Sequence, residues 1–393
     1  MSEFDDIRPY NDDEVRPTLL RLFDDKEFLD AIVRLKFPLL SRLAAPLARP
    51  IARATLRKEL AGVLTIADFQ AKIERYMQQN IESTTTSLSF SGLEHLKADK
   101  AYLFISNHRD IAMDPAFVNW ALFKGGFQTL RVAIGDNLLT KPFAGDLMRL
   151  NKCFIVNRSA TAPREKLKAA KLLSSYIHHS LCIDNANIWI AQREGRAKDS
   201  RDITNPAIVS MLVLNKPKGD DFGEYIKNLN IVPVSISYEY DPCDQAKARE
   251  LTMRAENGHY EKTEHEDVNS IALGIAGQKG GVHVAFGAPL GAQFASVEAV
   301  AAELNRQIAS NYMLHSSNCI AYTIVTGEQP KVTLGAQQKP YAQADYLAHK
   351  TDFDNRLRHC PAPWRERFIS IYANPVVAKL AHQAAYTDAH NAE

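Results

Sequence analysis

Residues 101–124 read AYLFISNHRDIAMDPAFVNWALFK. Two changes of pattern inside this stretch decide the fold. Ala101 to Ser106 is a short apolar run of strand length. Pro115 to Lys124 is a second apolar-rich run, closed by Gly125 and Gly126, and it predicts a helix with its stop signal. A strand therefore enters a helix through a polar turn that carries His108, Asp110 and Asp114. Open α/β sheets place their ligands at the carboxyl ends of their strands, so this turn is where chemistry is expected.

The same texture repeats on both sides. LSFSGLEHL (88–96) predicts a strand followed by a turn. LRVAIG (130–135), CFIVN (153–157), NIWIAQ (187–192), NIVPVSISYEY (230–240) and GVHVAFG (281–287) are further strand-length apolar runs. Helical patterns lie between several of them, as in PREKLKAAKLLSSYI from Pro163 to Ile177. Strands alternating with helices predict an α/β fold with a mostly parallel central sheet flanked by helices. Helical patterns at Leu19 to Leu29 and Ile66 to Ile81 precede this region, and a mainly helical tail follows Pro289, irregular around Gln329 to Pro340. The expected organisation is a helical N-terminal extension (1–84), an α/β domain (85–290) and a helical C-terminal region (291–393).

Composition narrows the class. The chain has 393 residues, 46% of them hydrophobic, enough for a substantial core. Its 47 Lys and Arg nearly balance 46 Asp and Glu, so bulk charge points to no nucleic-acid partner. The five cysteines (Cys153, Cys182, Cys243, Cys319 and Cys360) are scattered, without CxxC spacing. That favours reduced thiols and a cytoplasmic setting. The N-terminus is acidic and lacks the apolar segment of a secretory signal. No apolar run approaches the ~18 residues of a spanning helix, so membrane contact is expected to be peripheral. One segment suits that contact. Arg34 to Lys58 holds seven Lys and Arg and no acid, with Pro38, Pro46 and Pro50 expected to break it into short pieces. His178-His179 and the His259/His265 pair lack ligand partners at recognisable spacing, and no metal is expected. ELTMRAENGHYEKTEHED (250–267) is charged and reads as solvated.

The tripeptide His108-Arg109-Asp110 is also the start of a kinase catalytic loop. That loop needs an Asn five residues after the Asp to hold magnesium, and here the position is Pro115. The other reading makes His108 the chemist. Histidine accepts protons near neutral pH, and a carboxylate on its second nitrogen fixes the tautomer and stabilises the imidazolium. Asp114 is the first candidate for that carboxylate and Asp110 the second. In the plainer reading Asp114 only caps the following helix, with Pro115 at its start. Ser106 is a conceivable nucleophile.

Five blocks in order resemble the glycerolipid acyltransferases, which include lysophosphatidate and glycerol-3-phosphate acyltransferases. SGLEHL (91–96) with YLFISNHRD (102–110) resembles the Asn-His-x4-Asp block. CFIVNRS (153–159) resembles the strand ending in arginine, at Arg158. IWIAQREGRAKD (188–199) resembles the Glu-Gly block, with Glu194 and Gly195 matching. IVPVSISYE (231–239) resembles the apolar-Pro-apolar strand, and GVHVAFGAPL (281–290) the Phe-Gly-x-Pro strand. Two departures stand out. Five residues, not four, separate His108 from Asp114, and on a continuous helix residues six apart point about 240° away from each other. The pair can meet only if the turn is partly non-helical. The family's arginine after Glu-Gly falls on Ala197, with Arg193, Arg196 and Lys198 nearby to substitute.

The resemblance implies transfer of a fatty acyl group from acyl-CoA or acyl carrier protein, as co-substrate and without a bound cofactor, to a hydroxyl of a glycerol phosphate or lysophosphatidate. His108 would be the general base. Arg158 and Arg196, with Arg193 in reserve and Glu194 and Gly195 shaping the loop, would bind the acceptor's phosphate. Another lyso-lipid acceptor, or a non-catalytic lipid- or acyl-carrier-binding role, is compatible with the altered blocks.

Overall fold

A computed structural model describes residues 3–36, 38–263 and 266–391, with side chains of 34–47 and 384–391 outside the description. Seven strands of four or more residues occur among these residues: β1 Thr85–Ser91, β2 Leu103–Ser106, β3 Arg131–Gly135, β4 Cys153–Val156, β5 Ile188–Ala191, β6 Ile231–Tyr238 and β7 Gly280–Phe286. Each falls on an apolar run read from the sequence. The chain divides into two compact units, one of residues 1–79 and 131–176, the other of 80–130 and 177–393. The boundaries expected after residues 84 and 290 are not those of the units. The C-terminal helices stay with the second unit, and 131–176 group with the N-terminal helices.

In the first unit, helices Asp12–Asp24, Lys26–Lys36 and Pro38–Glu59 bury Val15, Leu19, Leu22, Phe23, Leu29 and Val33 against Ala48, Ala52 and Leu56. The first helix starts cleanly because the Glu14 carboxylate accepts the Asn11 N–H at 2.7 Å, and acids fill its positive end. A new helix does begin at Pro38, but the expectation that Pro46 and Pro50 break the segment further is corrected. One helix runs through Pro46 and Pro50. A proline inside a helix costs about 3 kcal/mol, and here Ala48, Ala52 and Leu56, buried on one side, oppose that cost. Three arginines of this helix have acid partners. Arg49 forks onto Asp30 with two bonds of 2.7 Å, and Arg53 and Arg57 lie 3.5 and 3.6 Å from Asp24. Arg34, Lys36 and Arg42 lie outside the described side chains. β3 and β4 pair in parallel, Val132 beside Cys153.

The second unit contains the sheet order β1-β7-β6-β2-β5. In this sheet β1 and β7, β2 and β6, and β2 and β5 pair in parallel, and β6 and β7 pair antiparallel. β2 and β6 are buried along their whole length, as strands covered on both faces must be. Gly92 makes the turn after β1 possible. Its φ is +83°, and a Cβ there would lie 1.8 Å from the Phe286 carbonyl oxygen. Helices Val297–Asn311, Ser316–Thr326, Gln343–His359 and Arg365–Asn391 form the tail, with a two-residue hairpin at Thr333–Leu334 and Lys339–Pro340 in the irregular segment. At its centre Phe353 packs edge-on against Tyr372, with Phe368 tilted against both. Among the described residues no helix is long and apolar enough to cross a membrane.

Candidate active site

β2 ends at Ser106, and the helix Met113–Lys124 begins seven residues later. The residues between are turn and bend, not helix. This satisfies the condition set by the lengthened spacing: His108 Nδ1 lies 2.9 Å from Asp114 Oδ2. Asp114 is fully buried and accepts three further hydrogen bonds. The backbone N–H groups of Arg109 and Asp110 donate to Oδ2 at 2.6 and 2.9 Å, and the Tyr238 hydroxyl donates to Oδ1 at 2.6 Å. Asp114 therefore folds the turn back over itself. It does not cap the helix.

Asp110 serves the helix start instead: its Oδ1 accepts the N–H groups of Ala112, the N-cap, and Met113, the first helical residue, at 3.0 and 2.8 Å. Burial, then the charge of Asp114, pushes its carboxyl above the usual range. The structure thus separates the two aspartates, placing Asp114 on the imidazole and Asp110 on the helix start.

Asn107 fixes the turn to the sheet. Its side-chain oxygen accepts the Ile236 N–H at 2.8 Å and its amide donates to the Ile236 carbonyl at 2.9 Å, continuing the β2–β6 ladder with a side chain. Trp189 on β5 stacks edge-on against His108 with centroids 5.6 Å apart. Its indole N–H donates to Ser106 Oγ at 3.0 Å, and that hydroxyl donates to the Asn107 carbonyl at 2.7 Å. Ser106 is fully buried and engaged on both sides, so it is not placed as a nucleophile. His108 keeps 12% of its side chain exposed, and among the described residues its Nε2 has no hydrogen-bond partner. Because a carboxylate can only accept, Nδ1 carries the proton and Nε2 presents a lone pair.

The loop after β5 closes over this turn. The Gln192 N–H donates to the Ser106 carbonyl at 2.8 Å, the Asn205 N–H donates to the Gln192 carbonyl at 2.9 Å, and the Ala197 N–H donates to the His108 carbonyl at 3.0 Å. Arg109, buried, clamps the same loop by donating to Asp202 at 2.6 Å, and Asn107 donates to that carboxylate at 3.2 Å. Lys247 donates to the Arg109 carbonyl at 2.7 Å and bonds Asp241.

Residues 87–237 match the family model described as Acyltransferase. An acyltransferase domain thus includes β2, the turn with His108 and Asp114, and β5. Among solved structures, that of the 1-acyl-sn-glycerophosphate acyltransferase from Thermotoga maritima is similar at 15% identity, over 75% of this chain and 94% of that chain, with a TM-score of 0.33. No curated protein matches.

Within this acyltransferase the other predicted residues separate. Arg193, Glu194, Gly195 and Arg196 lie on the loop after β5. Arg193 and Arg196 are half-buried and Glu194 is exposed. Gly195 has φ +71°, and a Cβ there would meet nothing within 4 Å. Arg196 Nη1 is buried with no hydrogen-bond partner. Lys198, its rival, is bonded to Glu250. Glu250 is buried, and Lys198 and Arg254 both neutralise it, whereas Met253 to His259 further along the same stretch are exposed, as read from the sequence. Arg158 lies in the first unit just past β4, its N–H donating to Asp136 at 3.0 Å. All five cysteines are free. His265 lies outside the described residues. Sequence reasoning missed Asn107, Asp202, Tyr238 and Lys247. Each reaches the turn from across the fold or with its own side chain, and no local spacing signals that.

Proposed function

We propose that this acyltransferase moves a fatty acyl group from a thioester, acyl-CoA or acyl-loaded carrier protein, onto a hydroxyl of glycerol phosphate or lysophosphatidate. The observation that carries the reading is the His108–Asp114 pair at 2.9 Å, with Nε2 left open to a substrate. In the reaction, Nε2 takes the proton from the acceptor hydroxyl as its oxygen attacks the thioester carbonyl. The C–S bond then breaks and the thiolate leaves, receiving the proton from His108. Asp114 holds the ring and stabilises the imidazolium while it exists. A base so placed supplies about 10²–10⁴ in rate. A thiolate leaves without strong acid help, and no covalent acyl-enzyme is needed.

Arg196 is the anion-binding residue of this reading. Its buried, unpartnered Nη1 is a donor that a phosphate oxygen would satisfy, and a charge-assisted bond of this kind contributes about 1.5–3 kcal/mol. Arg158 is the second candidate. Gly195 leaves open space above the loop backbone on the same segment. The test is thiol release from a long-chain acyl-CoA, followed with glycerol 3-phosphate, lysophosphatidate and neutral lysolipids as acceptors. Release that depends on a phosphorylated glycerol acceptor supports the assignment. Release with none of them, or equal release with neutral lysolipids, removes it. Arg196→Ala is expected to raise the acceptor's KM roughly 10- to 100-fold and leave the thioester's nearly unchanged.

A further inference from the structure

We infer that Tyr238 is a positioning residue of acyl transfer, holding through its hydroxyl the Asp114 oxygen that faces away from His108. This rests on the proton-transfer role proposed for His108. Tyr238 is the last residue of β6, two residues beyond the point where Asn107 joins that strand, and its hydroxyl meets Asp114 Oδ1 at 2.6 Å. Oδ2 is already occupied by His108 and two backbone N–H groups. Tyr238 is thus the sole partner of Oδ1 among the described residues. Without it the carboxylate could rotate about its Cβ–Cγ bond and take the imidazole with it.

The phenol is well placed to remain a donor. It is buried, its ring packs edge-on against Phe117 at 5.8 Å, and burial with the adjacent Asp114 charge keeps its proton on well above the ordinary tyrosine range. The titratable and charged groups around Asp114 are His108 and Asp110 on its own turn, Arg109 beside them, Asp202 on the loop after β5, and Asp241 with Lys247 just past β6. Only Tyr238 among them reaches Oδ1.

A hydroxyl that shares the carboxylate's charge also limits how strongly Asp114 supports an imidazolium. Removing it strengthens that support and makes the ring a poorer-oriented, more basic group. Tyr238→Phe keeps the ring and its packing. Its expected signature is a kcat lowered about 10- to 100-fold with both KM values little changed, and an acidic limb of the kcat/KM profile moved to higher pH. A structural role alone would lower stability and leave the pH limb in place. In a double-mutant cycle with Asp114→Asn, the double variant is expected to be no slower than D114N alone, because Tyr238 acts through that carboxylate. Wild-type turnover and limb in Y238F, or additive losses in the cycle, overturn the inference. Should Y238F fail to fold, 3-fluorotyrosine at 238, a stronger donor of the same shape, is expected to move the limb to lower pH, and an unmoved limb overturns it equally. His108→Ala is run alongside. An active H108A removes the proton-transfer reading itself, whereas an inactive H108A with an unaffected Y238F removes only the role of Tyr238.

Discussion

At the scale of single residues, the turn after β2 assigns different work to two aspartates only four positions apart. Asp114 takes His108, two backbone N–H groups and Tyr238, while Asp110 takes the first N–H groups of the helix. Asp114→Asn is therefore expected to lower kcat by roughly 10²–10⁴, since the amide cannot stabilise an imidazolium or fix its tautomer. Asp110→Ala is expected to cost about 1 kcal/mol of stability, the usual loss of a helix cap, with kcat near wild type. Steady-state kinetics and chemical unfolding on both variants check this, and the reverse pattern would exchange the two roles. The histidine and its two candidate carboxylates were legible in the sequence because the block that resembles the glycerolipid acyltransferases contains them. The choice between the carboxylates was not. It depends on the path of five residues, which periodicity cannot describe once the chain leaves helix and strand.

At the scale of elements, the turn carrying His108 is held by pieces distant in sequence. Helix Glu266–Ala276 lies so close that a Cβ on Gly274 would stand 1.9 Å from Asp110 Oδ2. Gly274→Ala must push the helix or the turn aside, at about 1–3 kcal/mol for an overpacked site. We expect a lower melting temperature together with reduced kcat. An unchanged kcat at reduced stability would show that the turn does not move with the helix. The buried Arg109–Asp202 pair joins the turn to the loop that carries Arg196. Asp202→Ala leaves a buried guanidinium unpaired, a loss of roughly 3–5 kcal/mol, measurable as a fall in unfolding free energy. Strand positions were readable because each overlaps a short stretch rich in apolar residues. Partners such as Asp202 and Gly274 were not, since their significance arises only when separate elements are brought together. The basic segment Arg34–Lys58 shows the same limit. Its charge was plain in the sequence, but Arg49, Arg53 and Arg57 meet Asp30 and Asp24 on the preceding helices. Because Ala48, Ala52 and Leu56 belong to the core of the first unit, membrane contact is better tested by sedimenting the whole protein with anionic and with neutral vesicles than by truncation.

At the scale of the whole molecule, stability is expected to depend on pH through two buried histidines outside the turn that carries His108. His283 on β7 bonds Ser89 and Ser91 through its two ring nitrogens at 2.8 and 2.9 Å, and burial, aided by Lys379, pushes it down to about 4. His315, also buried, is pushed down to about 3 by burial and then by His283. A histidine depressed in the folded state is neutral there but takes a proton on unfolding once the pH falls below about 6.5. The stabilisation is therefore complete above that pH and is lost as the pH drops towards 4. The His283 shift corresponds to about 3 kcal/mol over that window. His283→Gln, which cannot titrate, is expected to flatten the wild-type fall in unfolding free energy between pH 6.5 and 4; an identical slope would assign the acid sensitivity to other groups. The α/β class and the mostly parallel sheet were visible in the alternation of runs. The grouping of residues 131–176 with the N-terminal helices was not, because that association depends on which apolar faces meet.

The proposed reaction turns on one imidazole. Its most direct test is the turnover of purified His108→Ala with an acyl-CoA and a phosphorylated glycerol acceptor, measured beside the wild type at neutral pH after circular dichroism has verified the fold. The expected result is a folded protein whose acyl transfer falls by at least about 10²-fold, and a folded H108A that transfers acyl groups at the wild-type rate would contradict it.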